Sequence, residues 1–161
     1  MLAKKILIVC LGNICRSPTA QAVLSHKARL RGVEIEIDSA GTSASHKGER
    51  PDSRSVNAGS GRGYNFTGIY SRPVFEQDFA DFDLILAMDN ENLAELNRRC
   101  PAEHSHKIKL FLSFHPEYPA INEVPDPYYS GSKGFELVLD LIEQACDQLL
   151  LAPELTEIKT L

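Results

Sequence analysis

The sequence contains no long hydrophobic run. No stretch of about 18 consecutive apolar residues occurs, so no transmembrane helix is expected. Near the start, residues 6–9 form only a short apolar segment, which is too short for the hydrophobic region of a secretory leader. Cysteine is also scarce, with four in 161 residues, so a disulfide scaffold is not indicated. These features predict a cytoplasmic protein that has no membrane partner.

Neither sign of charge is in large excess. The formal net charge of −5 argues against general nucleic-acid binding, although it is compatible with a local positive pocket. A chain of 161 residues has an ordinary single-domain length. A chain of this size buries roughly 70% of the surface of its unfolded form, so it needs no metal or disulfide to fold. With no internal repeat or linker, we expect one domain over residues 1–161.

Apolar runs alternate with amphipathic segments along the chain. Strands are predicted over residues 4–9, 33–38, 83–88 and 107–114. Helices are predicted from Ser17 to Gly32, from Asp89 through Arg99, and along the apolar stripe from Phe135 to Leu150. Residues 51–63 are ambiguous because three glycines weaken a helix there, and residues 116–129 form a proline-rich loop. The alternation indicates βαβ units and one layered α/β domain with a parallel sheet.

The loop after the first strand carries the residues with the clearest chemistry. It reads Cys10-Leu11-Gly12-Asn13-Ile14-Cys15-Arg16-Ser17 and precedes a helix. Open parallel sheets bind ligands at the carboxyl ends of their strands. Successive N–H groups of such a loop, together with the helix dipole, form an anion-binding nest. Arg16 can add a bidentate grip on phosphate oxygens, and Gly12 permits a sharp turn.

Two cysteines in this loop require separate interpretations. Positive surroundings favour the thiolate form of Cys10, which could then attack phosphorus, with Ser17 placed to donate a hydrogen bond to the sulfur. The alternative is that the loop holds two buried cysteines and a helix-capping arginine. Cys15 is either a small core residue or a resolving thiol that forms a reversible disulfide with oxidised Cys10. The loop lacks the Gly-Lys-Ser/Thr ending of a Walker A motif.

A phosphate ester leaves readily only if its oxygen is protonated, so a general acid is needed. We predict Asp126 for this role because the flanking prolines restrict its loop and can aim the carboxylate. Tyr128 and Tyr129, which follow directly, can wall a pocket for an aromatic ring. The alternative for this segment is a surface turn, since Asp-Pro is common in turns. The five histidines show no metal-ligand spacing, so no metal is expected.

Together these residues resemble the low-molecular-weight protein tyrosine phosphatases over most of the chain. The stretches that carry the resemblance lie at residues 9–18, 38–42, 78–83, 87–89 and 126–129. The resemblance implies a three-layer domain with a four-stranded parallel sheet flanked by helices, and no cofactor. It implies Cys10 as nucleophile, Arg16 as phosphate binder and Asp126 as acid and then base. The implied substrates are phosphotyrosine proteins, with inorganic phosphate as product.

The resemblance also assigns supporting roles. Residues of the loop would bind the phosphate, with Asn13, Ser17 and Ser39 bracing the loop by hydrogen bonds. Family members usually carry an aromatic residue at the position of Ser45, which forms one wall of the cleft, and many carry a histidine near residue 69, where this chain has Ile69. These departures predict a wider, less aromatic cleft with an altered peptide preference.

Three other functions stay open from the residues. Arsenate reductases of this fold use a further redox cysteine pair, whereas residues 83–90 contain no cysteine. Protein-arginine phosphatases tend to have threonine at the position of Ile14 and lack the Asp-Pro-Tyr-Tyr pattern. A non-catalytic phosphate-binding module would need neither the thiolate of Cys10 nor the acid of Asp126.

Overall fold

Strands and helices alternate along the chain, as the sequence predicts. The computed structural model describes residues 3–155. Its strands are β1 (Lys5–Cys10), β2 (Glu36–Gly41), β3 (Leu84–Ala87) and β4 (Ile108–Leu110). Its α-helices are α1 (Arg16–Leu30), α2 (Ser53–Ser60), α3 (Asp78–Asp81), α4 (Asn90–Arg99) and α5 (Ser132–Leu149). Two 3-10 helices, Ala102–Lys107 and Phe111–Phe114, flank β4.

The strands form one sheet with the order β2-β1-β3-β4, and every pair is parallel. Successive residues of a strand point to opposite faces, and β1 uses both faces for packing. Ile6 and Ile8 belong to the core that includes residues of α1 and α5, whereas Leu7 and Val9 pack in a second core with Phe79 of α3. The expected three-layer α/β fold with a four-stranded parallel sheet is therefore confirmed.

Several segments differ from their sequence-based predictions. The strand predicted over residues 33–38 is β2 at Glu36–Gly41, three residues later in the chain. The predicted strand over residues 107–114 is a strand only at Ile108–Leu110, because a 3-10 turn follows at Phe111–Phe114. The side chains of Phe111 and Leu112 are still fully buried, so the apolar run reports burial rather than strand conformation.

The ambiguous segment at residues 51–63 contains helix α2. Asp52 is its N-cap, because the Asp52 side chain accepts a hydrogen bond from Arg54 N at 2.9 Å. Gly59 is required within this helix, since a Cβ there would lie 2.5 Å from Cε1 of Phe66. In the sequence alone Gly59 argues against a helix. The structure shows that glycine is present because the Phe66 ring packs closely against this position.

The topology places the Cys10 loop in a crevice. The chain leaves β1 toward β2 on one side and later enters β3 on the other side of β1, so the carboxyl end of β1 is a topological switch point. Within residues 3–155, no helix has the length and apolar character needed to cross a membrane. The same residues contain no group of histidine, cysteine or acidic side chains that could hold a metal ion.

Candidate active site

The loop between β1 and α1 has its carbonyl groups tied to the surrounding protein. Backbone N–H groups of neighbouring segments donate to three of these carbonyls: Thr42 N to Cys10 O (2.9 Å), Ser43 N to Leu11 O (2.9 Å) and Asp52 N to Ile14 O (2.8 Å). Side-chain hydroxyls donate to two others: Ser71 Oγ to Gly12 O (2.9 Å) and Thr19 Oγ1 to Cys15 O (2.6 Å). Because C=O and N–H of a trans peptide point in opposite directions, outward carbonyls turn the following N–H groups inward. The loop is thus built as an anion-binding nest at the N-terminus of α1.

Close approach of the β2 end makes this geometry possible. A Cβ at Gly41 would lie 2.8 Å from Leu11 O and 2.9 Å from Ser43 O, so a side chain there would collide with the backbone of the loop. This steric requirement explains why β2 ends in glycine.

Asn13 has a left-handed backbone, with φ of +56°, and its side chain is fully buried. Asparagine tolerates this conformation better than most residues, but such strain persists only where surrounding contacts impose it. Here Asn13 Nδ2 donates to Ser17 Oγ at 2.7 Å, and Asn13 Oδ1 accepts from Arg72 N at 3.1 Å. The side-chain amide therefore bridges the start of α1 and the segment that contains Arg72.

The sulfur of Cys10 lies among hydrogen-bond donors. Asn13 N donates to Cys10 Sγ at 3.3 Å, and Ser17 Oγ lies 3.0 Å from the same sulfur. Because Ser17 Oγ already accepts from Asn13 Nδ2, its own O–H is available to donate to the sulfur. These donors, together with the N-terminus of α1, are placed to stabilise negative charge on the Cys10 sulfur.

Arg16 is held beneath the loop and is only 3% exposed. Its Nη1 donates to Asp89 Oδ2 at 2.6 Å and to Val124 O at 2.9 Å. Burial opposes the guanidinium charge, but the neighbouring Cys10 sulfur and the Asp89 carboxylate outweigh it and raise the pKa of Arg16. Arg16 is therefore a fixed, oriented cation at the base of the crevice.

The carboxylate predicted as the general acid lies at the edge of the same site. Asp126 Oδ2 is 3.8 Å from Arg16 Nη2, and the Asp126 side chain is 47% exposed. Tyr128 N donates to Asp126 Oδ1 at 3.0 Å, which directs the other oxygen toward Arg16. Arg54 donates to Tyr128 O at 2.9 Å and stacks over the Tyr128 ring at 5.2 Å, so helix α2 holds this loop in place.

Cys15, the second cysteine of the loop, has a different environment from Cys10. Burial, and after it the nearby charge of Asp52, raises the pKa of Cys15 to about 12. Cys15 is consequently a neutral thiol at physiological pH. The Cys15 side chain belongs to a small apolar cluster with Ile14 and Phe135, against which Ala58 packs.

The loop, the acid and the two tyrosines surround one cleft of about 270 Å³. Tyr128 and Tyr129 meet edge to face with centroids 4.9 Å apart on one side of the cleft, and the Tyr129 side chain is almost completely exposed. Ser45 lies on the lining of the cleft. The sequence did not indicate His46, which also lines the cleft and whose Nδ1 lies 2.6 Å from Glu49 Oε2.

One predicted bracing contact is absent from the described residues. Ser39, at 1% exposure, donates its hydroxyl hydrogen bond to Gln21 Oε1 at 2.5 Å and thus joins β2 to α1, rather than contacting the loop. The reason is that Ser39 lies two residues before the end of β2, whereas contact with the loop comes from residues beyond that end.

Several side chains around the loop were missed by sequence reasoning. Asp89 was predicted only as the start of a helix, and it is the N-cap of α4, with Asn92 N donating to Asp89 Oδ1 at 2.7 Å. Its second oxygen binds Arg16, and no local pattern indicates that contact. Ser71 and Arg54 also went unnoticed. The signal that could have drawn attention to Asp89 is its place directly after a buried strand, beside the carboxyl end of β1.

A family model described as low molecular weight phosphotyrosine protein phosphatase matches residues 5–160 of the chain. The chain is 42% identical to the low molecular weight protein-tyrosine-phosphatase YfkJ of Bacillus subtilis, and the match covers 90% of this chain and 92% of that protein. It is 40% identical to the low molecular weight phosphotyrosine protein phosphatase of Rattus norvegicus, with 92% and 94% covered.

Solved structures give the same result. A protein tyrosine phosphatase from Entamoeba histolytica, crystallised with Hepes in the active site, matches with a TM-score of 0.88 and 46% identity over 92% of this chain and 95% of that chain. The crystal structure of YfkJ matches with a TM-score of 0.85 and 41% identity, covering 92% of each chain. With a matching fold and with the loop and Asp126 at one cleft, the chain belongs to the low-molecular-weight phosphotyrosine protein phosphatase family.

Proposed function

We propose that this chain hydrolyses phosphotyrosine side chains of proteins at the cleft above Cys10, with Cys10 as nucleophile, Arg16 as phosphate binder and Asp126 as acid and base. The observation that supports this most is the position of the Cys10 sulfur, 3.0 Å from Ser17 Oγ and 3.3 Å from Asn13 N. A site that only binds phosphate needs no activated sulfur. The enzyme is accordingly a phosphoric monoester hydrolase.

The reaction proceeds in two steps. In the first, the Cys10 thiolate attacks phosphorus, the bond from phosphorus to the tyrosyl oxygen breaks, and protonated Asp126 gives its proton to that oxygen. Tyrosine leaves and a phosphocysteine is formed. In the second, the Asp126 carboxylate takes a proton from water, the water oxygen attacks phosphorus, and the phosphorus–sulfur bond breaks. Inorganic phosphate and the Cys10 thiolate are the products.

The loop stabilises the charge that moves during both steps. Its inward N–H groups and the guanidinium of Arg16 surround the phosphoryl oxygens, and this preorganised arrangement needs no rearrangement at the transition state. Ser17 donates to sulfur when Cys10 is a free thiolate and when it is the leaving group of the second step. Tyr128 and Tyr129 provide the aromatic side of the cleft against which the phenyl ring of the substrate packs.

The test is hydrolysis of a phosphotyrosine peptide and of para-nitrophenyl phosphate at mildly acidic pH, with phosphoserine and phosphoarginine peptides in parallel. We expect the wild type to release phosphate from the first two substrates and Cys10→Ser to be inactive. Asp126→Ala should lose roughly 10²–10⁴-fold in rate. Wild-type binding of vanadate without turnover would refute the proposal, and activity confined to phosphoarginine would indicate an arginine phosphatase instead.

A further inference from the structure

The carbonyl of Gly12 is held differently from its neighbours in the loop. Ser71 Oγ donates to Gly12 O at 2.9 Å across 59 residues of sequence, whereas the carbonyls of Cys10, Leu11 and Ile14 accept from backbone N–H groups. Mutation of the residues that hold the other carbonyls leaves their backbone N–H donors in place. Mutation of Ser71 to a residue without a hydroxyl removes the donor to Gly12 O. A change at Ser71 therefore acts on a single peptide of the loop.

That peptide is the one that faces the sulfur. The Gly12 carbonyl and the Asn13 N–H belong to the same planar trans peptide, so they point in opposite directions. With Gly12 O directed outward to Ser71, Asn13 N is directed inward and donates to Cys10 Sγ at 3.3 Å. We propose that Ser71 is a positioning residue, which aims the Asn13 N–H at the Cys10 sulfur and at a phosphate bound there. The proposal rests on the proposed function in taking Cys10 as the nucleophile.

The peptide between Gly12 and Asn13 needs such a restraint. Asn13 has φ of +56°, a conformation that non-glycine residues adopt only at a cost. A flip of this peptide would rotate ψ of Gly12 and φ of Asn13 together, would relieve the left-handed conformation and would point the N–H away from sulfur. Glycine at position 12 offers little steric resistance to the flip. The hydrogen bond from Ser71 opposes it, since a flip leaves the buried hydroxyl without its acceptor.

Ser71 is itself rigidly placed. It is only 4% exposed, its N–H donates to Glu49 O at 2.9 Å, and its carbonyl accepts from Gly48 N at 2.8 Å. The next residue, Arg72, donates its backbone N–H to Asn13 Oδ1 at 3.1 Å. The segment at residues 71–72 thus holds the Gly12 carbonyl and the Asn13 side chain from outside the loop.

Arg72 is anchored in turn by two carboxylates. Its guanidinium lies 3.0 Å from Asp38 Oδ2 and 2.9 Å from Asp78 Oδ2, and it stacks over the Phe75 ring at 5.3 Å. These contacts fix the backbone on which Ser71 lies, so the hydroxyl of Ser71 is the single removable link between this support and Gly12 O. Ile69, two residues earlier, has no polar side chain that could replace it.

The test measures the pH dependence of Cys10 carboxymethylation by iodoacetate in wild type and in Ser71→Ala, with the modified residue located by mass spectrometry. This readout reports the thiolate directly and needs no turnover. We expect the pH of half-maximal alkylation rate to rise by roughly 0.5 to 1 unit in Ser71→Ala, equivalent to about one net hydrogen bond. Hydrolysis of para-nitrophenyl phosphate should fall roughly 3- to 10-fold, by the same energetic argument. Ser71→Thr, which keeps the hydroxyl, should restore both values.

Ser113→Ala is the matched control. Ser113 Oγ also donates to a backbone carbonyl, Leu110 O at 2.6 Å, but it lies in the 3-10 turn after β4. We expect that variant to alkylate as the wild type does. If Ser71→Ala does not fold by circular dichroism, Ser71→Gly removes the same hydroxyl and is measured instead.

The outcomes separate the two proposals. An unchanged alkylation midpoint in a folded variant that lacks the Ser71 hydroxyl overturns the positioning role, even if wild type hydrolyses aryl phosphates. A raised midpoint in protein that hydrolyses no phosphate ester supports the positioning role and overturns the proposed function.

Discussion

Mutation of the ion pair between Arg16 and Asp89 should lower the stability of the free protein and raise its affinity for phosphate. Asp89→Asn removes the negative charge that faces Arg16 at 2.6 Å, where the side chains are 18% and 4% exposed. The cap of α4 is preserved, because asparagine is as good an N-cap as aspartate. The substitution therefore isolates the ion pair from the helix.

We expect the free protein to lose stability. Removal of one partner from a buried ion pair costs about 3–5 kcal/mol. Asp89 is partly exposed, and Arg16 keeps the Val124 carbonyl at 2.9 Å, so we expect a loss of about 2–3 kcal/mol. In a domain of this size that corresponds to a fall in Tm of about 5–10 °C.

Phosphate binding should change in the opposite direction. The Asp89 carboxylate repels a bound phosphate, and the Val124 carbonyl keeps Arg16 oriented when that carboxylate is gone. A gain of roughly 1–2 kcal/mol, or roughly 5- to 30-fold in affinity, is reasonable for one charge at this range. Phosphate should thus raise the Tm of Asp89→Asn more than that of wild type.

The assay is thermal unfolding followed by circular dichroism in buffer with and without inorganic phosphate, together with phosphate inhibition of aryl phosphate hydrolysis. Asp52→Asn is the matched control, since Asp52 also caps a helix but pairs with Arg54, whose side chain is 46% exposed. The Asp52 side chain is 12% exposed, and a pair with one solvent-exposed partner contributes less than a buried pair, about 1 kcal/mol. Equal Tm values for Asp89→Asn and wild type, or weaker phosphate binding by the variant, would refute this reasoning.

Four further predictions concern the acid, its support, the second cysteine and the cleft wall. Asp126→Ala should slow the hydrolysis of aryl phosphates with a poor leaving group more than of those with a good one, because a poor leaving group depends most on protonation, so an equal loss on both would assign the acid elsewhere. Arg54→Ala removes a hydrogen bond to the loop of Asp126 and should lower turnover roughly 3- to 10-fold with little change in stability, which steady-state kinetics and unfolding curves can separate. Because burial raises the pKa of Cys15 to about 12, iodoacetamide at pH 8 should label Cys10 and spare Cys15, and equal labelling by mass spectrometry would contradict this. Ser45→Trp should change the ranking of phosphotyrosine peptides, so identical rankings would show that the cleft wall at this position does not select substrates.

The parts of the site that sequence could indicate are contiguous in the chain. The loop from Cys10 to Ser17 follows a buried apolar run and precedes a helix start, so local patterns place it at the end of a strand. Asp126 was found because prolines and tyrosines flank it. The alternation of strands and helices was enough to predict the parallel α/β fold.

The contacts that sequence could not indicate join residues far apart in the chain. Arg16 binds Asp89 across 73 residues and Val124 across 108, and no periodicity reports such pairs. The same limit explains the prediction for Ser39, whose hydroxyl binds Gln21 instead of the loop. The length of β4 was overestimated for another reason, since a buried apolar run is compatible with both a strand and a 3-10 turn.

The way in which the loop is held explains why a departure from the family pattern at Ile69 leaves the geometry of the site intact. Most outward carbonyls of the loop accept from backbone N–H groups, which are insensitive to side-chain identity. At the side chain of Asn13 the acceptor oxygen also receives a backbone donor, Arg72 N, so no histidine is needed to orient the amide. Only the Gly12 carbonyl depends on a side chain from a remote segment, and Ser71 provides it. A loop held chiefly by backbone hydrogen bonds tolerates substitution of the surrounding residues. Mutation of Ser71, whose side chain holds the loop, should instead alter the environment of the Cys10 sulfur.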